Sequence, residues 1–208
     1  MNFYVTLKTW NWPALLGALG IFAVGGIGAS VFYFRVSRRK IPPPLPSASN
    51  NYRRLEGIGG WLLVLALGVI INPFVFISNL VTLWPCVGKV DRWRQLTSPE
   101  GNAYQPAWLP SLAFEWIFSC VGLILSILMI FLFFRKRALA PKCLIAFLIY
   151  ALAGTILDHI LSSAAIAAAD ISSGDSGKYS DIVTNSMSAA IWISYLLVSQ
   201  RVKATFRR

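Results

Sequence analysis

Charged side chains are scarce in this chain of 208 residues, and their scarcity limits what the protein can be. Asp, Glu, Lys and Arg together make up 13% of the sequence, whereas a soluble domain carries about 25%. Hydrophobic residues make up 56%, including 8 Trp and 13 Phe. This balance argues against a soluble enzyme, a secreted disulfide scaffold and a disordered tail. It predicts a membrane protein.

The residue types that most often carry catalysis are also few. The chain has one histidine, His159, and three cysteines, at positions 86, 120 and 143. A single histidine excludes a site built from several histidines, and the sequence has no Gly-rich phosphate loop, G-x-S-x-G elbow or H-E-x-x-H motif. Paired-carboxylate chemistry has only Glu115 and Asp158 to use. We therefore expect no enzymatic activity, no metal site and no cofactor.

Five apolar stretches are long enough to cross a bilayer, which takes about 20 mostly apolar residues. They cover residues 13–34, 60–84, 111–134, 143–168 and 182–199, of which the last is the most polar. The sequence thus predicts an all-α, polytopic membrane protein with five transmembrane helices.

The basic residues give an independent test of the five predicted spans, because cytoplasmic loops are enriched in Lys and Arg. Of the 19 basic residues, 14 lie in the segments 35–59, 135–142 and 201–208. The N-terminus and the other two loops share the remaining five. Basic and poorly basic loops therefore alternate, as five spans require, which predicts an outside N-terminus and a cytoplasmic C-terminus.

The first predicted helix is separated from the other four by a proline-rich segment, IPPPLPSASNN at residues 41–51. Proline-rich runs favour an extended spacer, although they also bind proline-recognising partners. We predict an N-terminal anchor helix with a basic flank (1–40), a cytoplasmic linker (41–54) and a four-helix core (55–208). Small residues four apart in the first helix, Gly25 with Ala29 and Gly26 with Ser30, are candidates for a helix-packing face.

The formal net charge of +11 has two readings. A basic chain can bind nucleic acid, but here the charge is spread over three membrane-flanking segments. We therefore expect it to orient the protein in the lipid bilayer and to contact anionic lipid headgroups, with no nucleic-acid partner.

Polar residues occur inside the predicted spans, where they are costly and usually find partners in the interior of the bundle. At 1.5 Å per residue, Asp158 lies about 22 Å from the cytoplasmic end of its helix. The same estimate places one or two polar groups of each core helix in the outer leaflet. The members of this candidate polar site are Asn79, Glu115, Asp158, His159 and Asn185. They form either a proton- or ligand-binding site, since histidine titrates near neutral pH, or a hydrogen-bonded network that fixes the bundle.

The pair Asn72-Pro73 interrupts the span 60–84. Pro73 removes one backbone hydrogen bond and clashes with the carbonyl of Val69, four residues earlier. We therefore predict a kink at Asn72-Pro73, which serves either as a static bend or as a gating element.

Two segments carry a family resemblance. LEGIGGWL at residues 55–62 enters the span 60–84, and YLLVSQRVKATF at residues 195–206 leaves the span 182–199. With four spans between them, they resemble the bacterial inner-membrane family catalogued as domain of unknown function 2569, over about residues 52–206. The resemblance implies a topology and a location in the bacterial inner membrane, but no activity.

The two motifs also have a direct physical interpretation at the cytoplasmic surface. Glycines allow a tight backbone turn, an aromatic ring anchors at the headgroup level, and basic side chains extend towards lipid phosphates. We expect Phe206 to dip into the interface and Glu56 to pair with Arg201 or Lys203; a docking surface for a cytoplasmic partner is the alternative. The glycine and aromatic positions of the first motif are Gly57, Gly59, Gly60 and Trp61.

Three functions remain after these exclusions. The first is a non-enzymatic accessory or assembly protein that acts through helix–helix contacts with a membrane-protein partner or a second copy of the chain. The second is a small proton-linked transporter or channel that uses Asp158, His159 and Glu115. The third, a membrane enzyme, lacks a nucleophile that water could reach. We favour the first.

Overall fold

A computed structural model of the protein describes residues 12–37, 58–168 and 178–206. All regular secondary structure in these ranges is helical. The helices are α1 (Trp12–Ser37), α2 (Trp61–Val87), α3 (Val90–Thr97), α4 (Trp108–Phe134), α5 (Ala140–Ala168), α6 (Lys178–Val198) and α7 (Gln200–Thr205).

Four helices are long and apolar enough to cross a membrane: α2, α4, most of α5 (Ala140–Ile166) and most of α6 (Ser180–Val198). Helix α1 contributes a shorter apolar stretch, Leu19–Phe32. The predicted class of all-helical, multi-pass membrane protein is therefore confirmed, and the predicted core spans coincide with helices to within a few residues at each end. The predicted linker, residues 41–54, lies outside the described residues.

The helices pack in chain order. Helix α2 packs on α4, α4 on α5 and α5 on α6. Helix α1 packs mainly on α4. We call the end of the bundle at which α2 and α5 begin and α4 and α6 end the basal end, and the opposite end the distal end.

Most of the hydrophobic core lies towards the basal end. Residues from five helices meet there and are almost completely covered by protein: Leu62 and Leu65 of α2, Leu132 and Phe133 of α4, Leu144 and Phe147 of α5, Leu196 of α6 and Val202 of α7. The outward faces of the same helices carry large apolar side chains, as lipid contact requires. The basal end is thus the firmly packed part of the bundle.

Helix α2 continues through Pro73, which is buried. The side chain of Asn72 donates a hydrogen bond from Nδ2 to the carbonyl oxygen of Gly68 at 2.9 Å. The amide therefore bonds to the carbonyl that precedes Val69, rather than to the one that the proline leaves free. The kink at Asn72-Pro73 stays a prediction.

Two short helices were not predicted. Helix α3 follows α2 at the distal end, and α7 follows α6 at the basal end. The backbone of Ser199 is extended (φ −64°, ψ 120°), which ends α6, and its Oγ accepts a hydrogen bond from the backbone N–H of Val202 at 3.4 Å. This cap starts α7 at the basal core.

Candidate functional site

The contact between α4 and α5 sets the position of the polar site. The ring of Phe118 stacks on Tyr150 with ring centroids 4.8 Å apart, and the Tyr150 hydroxyl donates to the carbonyl oxygen of Phe118 at 2.7 Å. Gly154 lies one turn further along α5, and a Cβ at this position would overlap the Phe118 ring. The two helices therefore approach closely here, and the next turn towards the distal end carries Glu115 on α4 and Asp158 on α5.

Glu115 and Asp158 are both half-buried. Their carboxyl groups are close enough for their charges to repel each other, and the charge of Asp158 also interacts with neighbouring His159. The Oδ1 atom of Asp158 is buried and has no hydrogen-bond partner among the described residues. The structure thus brings together three of the five predicted polar residues.

Two buried polar groups that the sequence did not single out lie on α4 beside Glu115. Ser119 is fully covered by protein, and neither its Oγ nor Nε1 of Trp116 has a hydrogen-bond partner in the described part of the chain. Ser119 follows Glu115 by one helical turn, so both lie on one face of α4. Ser119 could have been predicted as a neighbour of Glu115 from the sequence, because the two residues are four apart on one helix.

The remaining predicted residues are placed differently. Asn185 of α6 is exposed, but its Nδ2 donates to Oγ1 of Thr155 on α5 at 3.1 Å, one turn before Asp158. Thr155 in turn donates to the carbonyl oxygen of Ala151 at 3.0 Å. Asn79 lies on an exposed part of α2, and no contact joins it to the acidic pair. The assignment of all five residues to one site stays a prediction.

This arrangement can take up a proton or a hydrogen-bonding group. Buried polar atoms without partners are uncommon because leaving them unpaired is costly, and three of them lie on α4 and α5 within about one turn of the Glu115–Asp158 pair. Within the described residues, no three His, Cys, Asp or Glu side chains are grouped so that they could hold a metal ion. Cys86, Cys120 and Cys143 are free thiols.

The two interfacial motifs meet at the basal end. Gly60 has a positive φ of 58°, a conformation that favours glycine. A guanidinium nitrogen of Arg201 lies 2.8 Å from the position a Cβ of Gly59 would take, so the absence of that side chain lets Arg201 cover the turn. Trp61 is exposed beside it, and Lys203 is also exposed; the anchoring role of Trp61 stays a prediction.

Phe206 occupies a different place from the one expected. It does not lie in the interface: it is buried, and its ring packs against Phe133 with centroids 5.2 Å apart. The physical reason is that α7 folds back onto the basal core, which carries Phe206 inward. Glu56 and Gly57 lie outside the described residues, as does the predicted pairing of Glu56 with the basic residues of α7.

The fold and these motifs define a multi-pass helical membrane protein whose four packed helices run between two short basal motifs. Residues 55–207 match the family model described as "Protein of unknown function (DUF2569)", and the chain belongs to that family. This confirms the resemblance carried by the two motifs. No curated protein and no solved structure matches the chain. Helix α1 lies outside the matched residues.

Proposed function

We propose that all five long helices cross the bacterial inner membrane, with the N-terminus outside and the basal end in the cytoplasm. The alternation of basic and poorly basic segments supports this orientation. Arg135, Lys142 and Arg201 stand at the basal end, where α4 ends, α5 begins and α7 begins. The distal loop that includes α3 carries three basic residues against two acidic ones.

Cysteine labelling tests this orientation. Lys89 and Lys142 are both exposed and stand at opposite ends of the bundle. With the three native cysteines replaced by alanine, Lys89→Cys is expected to react with a membrane-impermeant maleimide in intact spheroplasts. Lys142→Cys is expected to react only after the membrane is permeabilised. Labelling of Lys142→Cys from outside would overturn the proposed topology.

The function supported best is a non-enzymatic accessory or assembly role in which α1 contacts a partner helix. One observation carries it: α1 lies outside the family core and packs mainly on α4, so that none of the described residues covers its opposite face. That face is apolar and large, with Leu16, Ile27 and Val31 each more than half exposed. Because helix association in lipid depends on side-chain packing rather than on the hydrophobic effect, an extra helix with a free face suits recognition of another membrane protein.

Site-specific photocrosslinking tests the accessory role. A photoreactive residue at Ile27 is expected to give one predominant protein adduct in native membranes. Ile191 of α6 is the matched control, because it is also an isoleucine and is similarly exposed, 57% against 65%. Adducts that are equally abundant from both positions, or absent from both, would contradict a partner on α1.

The second candidate function is proton-linked transport, and the acidic pair favours it. Glu115 and Asp158 are half-buried carboxyl groups on adjacent helices, and an ionisable residue within a membrane span is a functional candidate by default. Proton flux in reconstituted liposomes measures this function directly, and the expected effect of Asp158→Asn is argued in the Discussion.

A further inference from the structure

A groove separates part of α1 from α4 and is distinct from the polar site. It has a volume of about 480 Å³. Its walls are apolar along α1 and α4, apart from a hydroxyl at Ser30, and its basal end carries a guanidinium group. Representative lining residues are Phe22, Gly26 and Phe34 of α1 and Ile127, Phe131 and Arg135 of α4. We call this the α1–α4 groove.

We propose that the α1–α4 groove binds an anionic phospholipid of the cytoplasmic leaflet. One acyl chain lies in the apolar part of the groove, and the headgroup phosphate contacts Arg135. This goes beyond the accessory role, which uses the opposite, exposed face of α1, so either proposal can fail without the other.

Charge complementarity supports an anionic headgroup. Arg135 is exposed at the end of α4, Arg35 is exposed in the last turn of α1, and Lys142 is exposed in the first turn of α5. Three neighbouring helices therefore each place a cation at the basal end, and basic residues beside a helix at the cytoplasmic surface attract anionic lipid. A zwitterionic headgroup carries a cation of its own, which the basic residues would repel, so it is expected to bind less well than an anionic one.

The size of the groove argues against a transmembrane helix as its occupant. An α-helix with side chains is about 10 Å wide and rises 5.4 Å per turn, which gives about 420 Å³ per turn. The α1–α4 groove has about the volume of one such turn, so a helix that crosses about 30 Å of hydrocarbon would fill it with only a small part of its length. A flexible hydrocarbon chain fits an irregular groove of this volume.

Retention of lipid by the purified full-length protein tests the proposal. The protein is reconstituted into vesicles of equimolar phosphatidylcholine and phosphatidylglycerol, extracted in mild detergent and analysed by native mass spectrometry. We expect phosphatidylglycerol to be retained in preference to phosphatidylcholine. The preference should fall about fivefold in Arg135→Gln, the effect of one cation near the membrane surface. Lys89→Gln removes an exposed cation at the distal end, away from the groove, and it should leave the preference close to the wild-type value.

A steric pair of variants tests the acyl chain separately from the headgroup. A Cβ at Gly26 or at Gly28 would meet no heavy atom within 4 Å, so a side chain can begin at either position without a clash. Gly26 lines the α1–α4 groove, whereas Gly28 lines a larger apolar groove of about 900 Å³ between α1, α4 and α5. Gly26→Leu should abolish lipid retention and Gly28→Leu should preserve it.

Three results would overturn the proposal. The first is equal retention of the two lipids by the wild-type protein. The second is an equal loss of preference in the Arg135→Gln and Lys89→Gln variants. The third is a dimer of the chain that is lost in Gly26→Leu, which would show that a second copy occupies the groove.

Discussion

Replacing Gly154 with valine is expected to lower the melting temperature of the detergent-purified protein by about 5–10 °C. The added side chain would occupy the space of the Phe118 ring. That ring cannot swing aside, because it stacks on Tyr150 at 4.8 Å and on Phe114 at 5.7 Å, and it meets the edge of Phe76 at 5.9 Å. Overpacking of a filled interior costs about 1–3 kcal/mol, and the contact between α4 and α5 must widen to absorb it.

Gly68→Val is the matched control for this prediction. Gly68 also lies within a membrane helix, but a Cβ there would meet no heavy atom within 4 Å. The two variants make the same chemical change, so the difference between their melting temperatures measures the steric conflict at Gly154. Size-exclusion chromatography after heating measures the loss of monodisperse protein, and this loss gives the melting temperature of each variant. Equal values for the two variants would show that α4 and α5 do not approach closely at Phe118.

Asp158→Asn carries the second large expected effect. If the acidic pair conducts protons, the variant is expected to reduce pH-gradient-driven proton flux in liposomes to the level of empty vesicles, because an amide does not ionise. Its folding should be preserved. Asparagine has nearly the same shape, and its neutral side chain removes both the charge repulsion with Glu115 and the favourable interaction with His159. Flux and melting temperature, measured on the same preparation, therefore separate a functional carboxyl from a structural one.

Glu100→Gln is the control for the flux measurement. Glu100 is exposed in the loop between α3 and α4, so its neutralisation makes the same kind of chemical change away from the acidic pair. We expect flux in this variant to match the wild-type protein. Wild-type flux in Asp158→Asn at an unchanged melting temperature would exclude the pair from transport. Absence of flux from the wild-type protein would leave the accessory role as the proposal.

The long helices were predictable because the property that marks them is local. A run of about 20 apolar residues is visible without knowledge of its neighbours, and α2, α4 and α5 begin and end within a few residues of the predicted spans. The short helices α3 and α7 carry no such run. Their existence depends on where the chain turns at the membrane surface, and for α7 it depends on the extended backbone of one residue, Ser199.

A count of residues gives the depth of a side chain along its helix, but it does not give the direction in which the side chain faces. Counting residues along each helix placed Glu115 and Asp158 in the same half of the bilayer, and in the structure their carboxyl groups are close enough for their charges to interact. The same count placed Asn79 there, but it does not say which way a side chain faces, and Asn79 is exposed on α2. Ser119 and Trp116 were missed because serine and tryptophan are ordinary in membrane helices. Their burial follows from the register of α4 against α5, which a single sequence does not reveal.

The uneven distribution of the core has a mechanical consequence. Helices α5 and α6 are held by the basal residues Leu144, Phe147 and Leu196, whereas towards the distal end their fully covered side chains are only small ones, Ala165 and Ala189, within the described residues. Beyond the contact of Phe118 with Tyr150 and Gly154, a separation of the distal parts of these helices would therefore uncover few large side chains. Asp158 lies on α5, one turn beyond Gly154, and Glu115 lies on α4. The separation of these two carboxyl groups would therefore report how far the distal end of the bundle is open.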